Sequence, residues 1–434
     1  MSAVVRGRVT IKSRVLFSAR LYASGAIGAP GQQGFGVGIC PAPPAGMTPM
    51  SGYADVASAN YGNYGWTDGS VMVWIPAFYY KWGTGANGLA LNAVSVVPYT
   101  TYATSADAAA AGYALHRAFW DGGVEQPGVF VDKFQCSKNG GVASSIALGN
   151  PLSSGTTHNP FSGLTGAPAN FYYGAIAAAK TRGANFFCTS RFIYSALAML
   201  SYAHASAASA TTWCAWYDAA GVINFPKGNN NNALRDTNDT SVLYLTDGYP
   251  NCGKTGSGDP FAKTTHNGQN CGVADLNGNM WEISPGHTSN GSLHYAIKTS
   301  VAMKSVTGGN TLGTDLWGAN GLAALYQSLG ATFGALQGNS TTKYFGNAGA
   351  QVLHESTSGD GWITTGLGVP KSGGTGGSNL FGNDALYDYR PNEMCPCSGG
   401  HWNHVAGAGV WALDLSLPRG SSNYAVGFRS ALYL

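Results

Sequence analysis

The segment that decides the expected fold is SGGHWNHVAGAGVWALDLSLPRGSSNYAVGFRSAL, which occupies residues 398–432. It opens with Gly-Gly-x-Trp and closes with Gly-Phe-Arg-Ser-Ala. Within it, Trp411, Leu413 and Leu415 stand at every second position. Because side chains alternate between the two faces of a β-strand, this spacing predicts a strand that buries these three residues and projects the residues between them outward.

The segment therefore divides into buried scaffold residues and interchangeable positions. The predicted C-terminal scaffold is Trp402, Trp411, Leu413, Leu415, Phe428 and Arg429. Substitutions on an exposed face usually cost less than ~0.5 kcal/mol, whereas truncation of a buried Leu costs about 2–5 kcal/mol. Such a segment can change its surface without losing its core, which a binding surface requires and an enzyme active site does not.

The composition indicates a folded chain with a neutral surface. Only 10% of the 434 residues are charged, against about 25% in an average soluble domain. The 63 glycines are roughly double the usual ~7%, and apolar residues make up 44%, which is enough for a core. Low charge combined with many turn-forming residues is more typical of extracellular or virion proteins than of cytosolic enzymes.

Charge and hydropathy argue against two classes of partner. The net charge is +3 and the basic residues are scattered, so nucleic-acid binding is not expected. No apolar stretch approaches the ~18 residues of a membrane span, so membrane insertion is not expected either. Eight cysteines are too few for a disulfide scaffold in a chain of this length, and we expect them to be reduced.

The N-terminal part is predicted to differ from the rest. Residues 1–25 alternate apolar and polar side chains, which predicts strands, and they lack the apolar core of a signal peptide. Gly and Pro are frequent from residue 25 to residue 52, which predicts a linker. We therefore predict a small N-terminal β-rich attachment segment and linker over residues 1–65 and one large domain over residues 66–434.

Regular elements are few and separated by long connections. The segments with the clearest patterns are predicted strands at 71–82 and 128–138 and predicted helices at 171–184 and 195–207. Ser190 or Ser195 is the expected N-cap of the second helix. From residue 220 onward, Gly and Asn interrupt nearly every apolar run, which favours long loops on a small sheet.

Motifs for catalysis are almost missing. GYPNCGKT at 248–255 fits the phosphate-binding pattern G-x-x-x-x-G-K-[ST], but Lys254 is followed by TGSGDPF, which cannot begin the helix that such a loop needs. We interpret this match as accidental. Neither Gly-x-Ser-x-Gly nor His-Glu-x-x-His occurs, and only four Glu are present.

Two segments contain residues that could bind a metal ion, and both have a simpler interpretation. Cys395 and Cys397, followed by His401 and His404, offer four zinc ligands, but the spacing departs from that of known zinc motifs, and we favour structural cysteines and surface histidines. DLNGNMWE at 275–282 is rich in oxygen ligands for Ca²⁺, but a tight turn explains it more simply. We expect no cofactor, with Ca²⁺ and Zn²⁺ as the alternatives.

Several segments, taken in order, resemble the C-type-lectin fold of the formylglycine-generating-enzyme type. They are VMVWIPAFYYKW (71–82), GVFVDKFQCSKN (128–139), FFCTSRFIYSALAML (186–200), GVADLNGNMWEIS (272–284) and the closing GGHWN…GFRSAL. The resemblance covers roughly residues 66–434 and implies an α+β domain with long loops. In the enzymes, two cysteines carry the reaction at the positions that His404 and Gly409 occupy here, so the enzyme alternative is disfavoured.

The closing segment also resembles the variable region of proteins diversified by diversity-generating retroelements, which include phage tropism determinants. Their pattern places Asn codons of a template between fixed Gly, Trp and Arg residues, and adenine-directed mutagenesis rewrites those codons. Residues 398–434 contain no Lys, Glu, Gln or Met, which suits that mechanism because it produces none of the four. The resemblance implies an adenine-rich template repeat and a reverse transcriptase encoded nearby.

We therefore predict a receptor-binding protein, without enzymatic activity, that presents a diversified C-terminal surface over about 398–432. The predicted ligand-binding positions are His401, Asn403, His404, Val405, Ala406, Ala412, Asp414, Ser416, Leu417, Ser421, Ser422, Tyr424 and Ala425. The expected partners are a host-cell surface receptor, either protein or mixed in nature, and other virion tail proteins.

The resemblance further implies a homo-oligomer, with a trimer as one expectation, located in a phage or prophage tail, or at the cell surface if the gene is cellular. The sugar-binding motifs Glu-Pro-Asn and Gln-Pro-Asp of Ca²⁺-dependent lectins do not occur. The alternative function is a virion or cell-surface decoration protein with the same fold and no diversification.

Overall fold

The structure is a computed structural model. The residues that it describes are 26–83, 85, 87–89, 93–166, 171–219, 225–307, 322–330, 343–345, 356–370 and 381–434. The strands predicted within residues 1–25 lie outside these ranges.

Within the described ranges the chain forms 22 short strands and five α-helices. The strands are β1 Thr48–Pro49, β2 Asn63–Gly65, β3 Val71–Pro76, β4 Phe78–Trp82, β5 Val94–Pro98, β6 Ala114–Leu115, β7 Trp120–Asp121, β8 Val124–Glu125, β9 Gly128–Asp132, β10 Ser137–Asn139, β11 Val142–Ser144, β12 Phe187–Cys188, β13 Trp281–Ile283, β14 His287–Ser289, β15 His294–Ile297, β16 Tyr326–Ser328, β17 Lys343–Tyr344, β18 Ala385–Tyr387, β19 Cys397–Ser398, β20 Leu413–Asp414, β21 Val426–Gly427 and β22 Ser430–Leu432. The helices are α1 Ser105–Ala110, α2 Ser162–Thr165, α3 Phe171–Lys180, α4 Arg191–Ala207 and α5 Gly359–Gly366.

Short 3₁₀ turns complete the regular structure of the described part. They are Tyr99–Thr101, Arg117–Phe119, Phe261–Thr264, Met303–Ser305, Leu322–Leu325 and Val405–Gly407. The chain is thus rich in sheet with few helices, which agrees with the predicted α+β class. No helix in the described part is both long and apolar enough to cross a membrane.

The first sheet joins distant parts of the chain. Its strand order is β1-β2-β3-β9-β22-β12, and every neighbouring pair is antiparallel. In the centre of the sheet, Val131 of β9 stands between Val73 of β3 and Ala431 of β22. All three side chains are buried, so the β-branched residues of the predicted strands do form the core.

Both long strands predicted from the sequence are interrupted. The segment 71–82 forms β3 and β4, which are separated by Ala77 and belong to different sheets. Proline has no N–H for continued pairing, so it stands at the end of β3. The segment 128–138 likewise forms β9 and, after four residues outside any strand, β10.

The second large sheet carries the C-terminal segment. Its strand order is β17-β18-β20-β19-β13-β21, with β18–β20 and β13–β21 parallel and the other pairs antiparallel. Trp281 stands opposite Val426, and Glu282 stands between Ser398 and Gly427. The sheet thereby brings the segment around residue 281 against both ends of residues 398–432.

Helix α4 is the main helix of the core. It begins at Arg191, four residues before the predicted start, and Ser190 is its N-cap because its hydroxyl accepts a hydrogen bond from the Ile193 N–H at 3.3 Å. Its first 14 residues are buried, which explains how an Ala- and Leu-rich sequence serves as a central element. Helix α3 ends at Lys180, four residues before the predicted end.

The predicted linker is wrong for its described residues, 26–52. Ile27, Phe35 and Val37 are fully buried in the main hydrophobic core. The boundary placed after residue 65 also falls inside the first sheet, where β2 pairs with β3. Residues 26–65 therefore pack as part of the same body as the residues that follow, and the attachment role of residues 1–65 stays a prediction.

Each of the eight cysteines lies in the described part of the chain, is buried and forms no disulfide.

Candidate binding surface

The C-terminal scaffold is buried as predicted. Trp402, Trp411, Leu413, Leu415, Phe428 and Arg429 all lie in the protein interior. Trp411 stacks on the ring of Phe345, with 4.2 Å between the centroids. Leu415 and Phe428 belong to the main core, whereas Trp402 packs in a small separate cluster with Cys252.

The backbone conformation before Trp402 explains why two glycines occur there. Gly399 and Gly400 adopt φ values of +94° and +85°, which residues with a Cβ rarely adopt. A Cβ on Gly399 would lie 2.3 Å from the hydroxyl of Tyr194, and one on Gly400 would lie 2.5 Å from the Cβ of Ala408. The Gly-Gly-x-Trp pattern is therefore a tight turn that packs directly on the core.

The predicted binding positions fall into three groups by exposure. The exposed residues are Asn403, Val405, Ser422 and Tyr424. The half-buried residues are His401, His404, Ala406, Asp414, Ser416, Leu417 and Ser421. The buried residues are Ala412 and Ala425.

The prediction that Ala412 and Ala425 face outward is wrong. The alternation does not extend to Ala412 because β20 has only two residues and the glycine turn covers this position, so that the Gly399 N–H donates to the Ala412 carbonyl at 3.0 Å. Ala425 packs against Met280 and Trp402, and its carbonyl accepts a hydrogen bond from Trp281 N–H at 2.9 Å.

Tyr424 lies at the centre of the exposed part. It is 47% exposed, and its ring lies 5.8 Å from that of Trp402 and 5.5 Å from that of Tyr249. Tyr249 is not one of the predicted binding positions, and it lies in a loop 175 residues before Tyr424. No periodic pattern marks that loop, so only its aromatic residue offered a signal.

A second loop supports the residues after Trp402. The Val405 N–H donates to the Asn230 carbonyl at 2.7 Å, and the Asn232 N–H donates to the Trp402 carbonyl at 2.6 Å. Asn232 also accepts a hydrogen bond from the Asn251 side chain at 2.8 Å. We call the resulting surface the Tyr424 patch, which consists of Asn232, Tyr249, Asn403, Val405 and Tyr424.

The two histidines lie beside this patch and are neutral at physiological pH. Their rings stack at 5.8 Å, and the ring of His404 lies 4.9 Å from that of Trp281. Burial lowers the pKa of His401 to about 4. Burial, and then the neighbouring His401, lowers the pKa of His404 to about 3. Both side chains therefore offer hydrogen bonds and ring surface to a partner rather than charge.

Asp414 and Ser416 are connected to His404 through Tyr387. Asp414 pairs with Tyr387 in the second sheet, and the Tyr387 hydroxyl is 2.7 Å from His404 Nε2. The Asp414 carboxylate accepts hydrogen bonds from the backbone and the hydroxyl of Ser416, while burial raises its pKa. Ser421 instead contacts α3, since its carbonyl accepts a hydrogen bond from the Phe171 N–H.

The weaker motifs have structural explanations. The residues after Lys254 form turns and no helix begins there, so the phosphate-loop match is accidental. DLNGNMWE forms a tight turn in which Asp275, Gly278 and Asn279 have positive φ, and the Asn279 side chain binds both backbone groups of Gly253.

Cys395 and Cys397 are fully buried, and neither joins a group of three metal-ligating side chains among the described residues. At the second cysteine position of the enzymes, a Cβ on Gly409 would lie 2.1 Å from an oxygen of the buried Asp384 carboxylate. A side chain at this position would therefore require Asp384 to move.

No protein-family model and no curated protein sequence matches the chain. Among solved structures, it is similar to the Major Tropism Determinant U1 variant, with a TM-score of 0.29 and 11% identity, and to the P3c variant, with a TM-score of 0.28 and 10% identity. Each match covers 84% of this chain, and the chain spans 63% of the length of the matched proteins. A likeness of this size carries no argument about family or function.

Proposed function

We propose that the chain is a receptor-binding protein that presents the Tyr424 patch, with the neighbouring interchangeable positions of residues 398–432, to a receptor on a host cell. The observation that carries this proposal is the separation of the C-terminal segment into a buried scaffold and an exposed surface. Trp402 is buried while Asn403, Val405 and Tyr424 around it are exposed. Changes at the exposed positions leave the buried contacts in place.

The patch is also held in one arrangement before a partner binds. Backbone hydrogen bonds connect residues 402 and 405 to the loop at 230–232, and Tyr424 packs on two aromatic rings. Ordering of loops and side chains normally reduces affinity, so an already ordered surface loses less on binding. Tyrosine adds a large, rigid contact area that can also donate a hydrogen bond.

A particular fold is part of the same proposal. We infer a C-type-lectin-like domain of the formylglycine-generating-enzyme type, because the segments that carry the resemblance come together in space. Glu282 of GNMWE and Arg429 of GFR form a buried bidentate ion pair with N–O distances of 2.5 Å. The strand that contains Glu282 pairs with β19 and β21, which flank the interchangeable positions.

Useful affinity would come from several copies acting together. Contacts from a few tyrosine, histidine and asparagine side chains are individually modest. Linked copies raise the effective concentration of the later binding events, so avidity can exceed the single-site affinity by about 10²–10⁴. A homo-oligomer such as a trimer, on a phage or prophage tail, is therefore part of the proposal.

A binding experiment tests the proposal directly. Labelled protein is added to cells of the host strain of the phage or prophage that encodes the chain, and the adsorbed fraction is measured. The triple variant N403A/V405A/Y424A should reduce adsorption at least about tenfold, which corresponds to 1.4 kcal/mol. Its melting temperature should stay close to that of the wild type because the changed side chains are exposed.

The matched control is V56A/V124A, which truncates two exposed side chains outside the patch. This variant should adsorb like the wild type. Unchanged adsorption of the triple variant would contradict the proposal and leave the decoration-protein alternative. Unfolding of the triple variant would show that the patch belongs to the core, which also contradicts it.

A further inference from the structure

Three side chains with metal-ligating atoms meet beneath the Tyr424 patch. They are His158, Asp247 and Cys252, and the nearest nitrogen, oxygen and sulfur atoms all lie within 4.8 Å of one another. The side chains of His158 and Asp247 are 3% and 0% exposed, and Cys252 is fully buried. An imidazole nitrogen, a carboxylate oxygen and a thiol sulfur therefore meet at one buried place.

Both ring nitrogens of His158 contact an oxygen atom. Nδ1 is 2.8 Å from the Tyr424 carbonyl, so this nitrogen carries a hydrogen. Nε2 is 2.6 Å from Asp247 Oδ2, which as a carboxylate oxygen also only accepts hydrogen bonds. A neutral imidazole has a single N–H and cannot serve both acceptors. A distance of 2.6 Å leaves room only for one hydrogen between Nε2 and the carboxylate, and a cation could replace that hydrogen only if the two atoms moved apart.

The loop that contains Asp247 and Cys252 orients both ligand atoms. The Asp247 N–H donates to the Cys252 carbonyl at 3.0 Å, and the Cys252 N–H donates to the Tyr249 carbonyl at 3.1 Å, which closes a tight turn. The Tyr249 N–H donates to Asp247 Oδ1 at 2.8 Å. The other carboxylate oxygen, Oδ2, therefore remains for His158 or for a cation. This turn overlaps the accidental phosphate-loop match.

We propose that His158 Nε2, Asp247 Oδ2 and Cys252 Sγ bind Zn²⁺. Imidazole, carboxylate and thiolate are the three side-chain ligand types of zinc in proteins. The Nδ1–H that donates to the Tyr424 carbonyl matches the outer hydrogen bond that orients nearly every metal-bound histidine. The sulfur ligand excludes Ca²⁺ and Mg²⁺, which prefer oxygen, and Met280 Sδ adds a second sulfur 3.8 Å from Cys252 Sγ.

Zinc binding requires His158 and Asp247 to move slightly apart. Ligand atoms bound at ~2.0 Å to a tetrahedral ion are roughly 3.3 Å apart, so His158 Nε2 and Asp247 Oδ2 would separate by roughly 0.7 Å from their hydrogen-bonding distance. The charges of the dication, the carboxylate and a thiolate sum to zero, which makes the occupied site compatible with burial. Zinc binds cysteine as the thiolate, so it must displace the proton of the Cys252 thiol, and binding should tighten as the pH rises.

This inference goes beyond receptor binding and does not depend on it. The zinc site connects to the patch through the backbone of Tyr424, so an occupied site would hold that residue from below. Adsorption can fail while zinc binds, and zinc can be absent while adsorption persists. The two outcomes are therefore distinguishable.

The test measures zinc in the full-length chain. The protein is stripped with a chelator, dialysed, titrated with Zn²⁺ alone and analysed for bound metal. The wild type should bind about one ion per chain. C252S and D247N should each weaken the zinc affinity by more than the roughly 10- to 100-fold that loss of an outer partner costs. The matched control C40S changes a buried thiol in a separate hydrophobic cluster and should bind like the wild type.

A second measurement identifies the sulfur ligand. Co²⁺ added to the stripped wild type should produce thiolate-to-cobalt charge-transfer absorption that C40S retains and C252S lacks. The proposal is overturned if the stripped wild type takes up no Zn²⁺, or if C252S and D247N bind it as tightly as C40S does. If C252S does not fold, D247N and the wild-type cobalt spectrum still decide, because the spectrum without a sulfur band excludes Cys252 as a ligand.

Discussion

At the scale of single residues, Val405 combines exposure with an unfavourable backbone conformation. Its side chain is 50% exposed, and its φ is +45°, in the left-handed region where a β-branched residue is a rare outlier. The hydrogen bond from the Val405 N–H to the Asn230 carbonyl holds it there. Strain of this kind costs of order 1–3 kcal/mol and is often found at functional sites. The sequence contains no sign of it, because φ at this position follows from the packing of a distant loop.

We expect V405N to stabilise the protein. Asparagine adopts left-handed φ far more readily than valine does, so the free energy of unfolding should rise by about 1 kcal/mol. Urea unfolding monitored by tryptophan fluorescence measures the change. The matched control is V124N, at an exposed valine in β8, where asparagine should be neutral or destabilising. Equal losses of stability in the two variants would show that Val405 is not strained.

At the scale of elements, the sequence predicts the buried positions of the C-terminal segment well. It predicts the ends of the strands less well. The spacing of Trp411, Leu413 and Leu415 correctly identified buried positions, because burial of large apolar side chains dominates the local energetics. It failed at Ala412, where a small side chain fits under the glycine turn and the strand is too short to alternate. The pattern of segment 71–82 likewise predicts a single strand, although the first strand ends at Pro76.

Residues from distant loops were beyond prediction for a different reason. Tyr249 and Asn232 join the Tyr424 patch through contacts with residues 402–424, and His158 approaches Asp247 across 89 positions in the sequence. Long irregular loops carry no periodic pattern, so nothing local shows which loops meet. The sequence therefore predicted the scaffold and part of the surface, but not the contribution of Asn232 and Tyr249 to the Tyr424 patch.

We expect a large contrast between the two sides of the C-terminal segment. L415A removes a fully buried side chain and should lower the free energy of unfolding by about 2–5 kcal/mol. S422A changes an exposed position and should alter it by less than ~0.5 kcal/mol. Urea titrations would give both values, provided that the slope of the unfolding free energy against urea concentration is unchanged. Similar losses in both variants would mean that stability and surface are not separated.

At the scale of the whole molecule, one buried ion pair joins parts of the chain that are 147 residues apart. Both oxygens of the Glu282 carboxylate accept hydrogen bonds from Arg429. The remaining guanidinium N–H groups donate to the carbonyls of Asp132, Ala274 and Asp275, so that three segments meet at one side chain. The neighbouring carboxylate raises the pKa of Arg429 despite its burial, which keeps the guanidinium charged.

We expect E282Q to destabilise the protein strongly. The substitution leaves the buried Arg429 charge without its partner, which typically costs about 3–5 kcal/mol. The matched control is D239N, which removes the carboxylate from the partly exposed Lys263–Asp239 pair and should cost about 0–1 kcal/mol. Thermal and urea unfolding of both variants provide the comparison. If E282Q lost as little stability as D239N, this ion pair would not be important for the stability of the fold.

For the whole molecule, composition supported the fold class but gave a wrong prediction of a linker. The overall α+β character follows from many short apolar runs and few helical ones, and the described structure, rich in sheet with few helices, is compatible with it. Residues 26–52 were read as a linker because Gly and Pro are frequent there, but those residues form tight turns that place Ile27, Phe35 and Val37 in the core. A few well-spaced apolar side chains decide packing, and composition averages them away.

The position of β22 makes the first sheet depend on residues near the end of this sequence. This strand lies between β9 and β12, inside the first sheet, and its codons follow those of the interchangeable positions. A ribosome that changes reading frame or terminates within residues 398–429 makes a chain without it, and the edges of both neighbours are then left unpaired and prone to aggregation or proteolysis. The first sheet therefore depends on a strand that is encoded after residues 398–429.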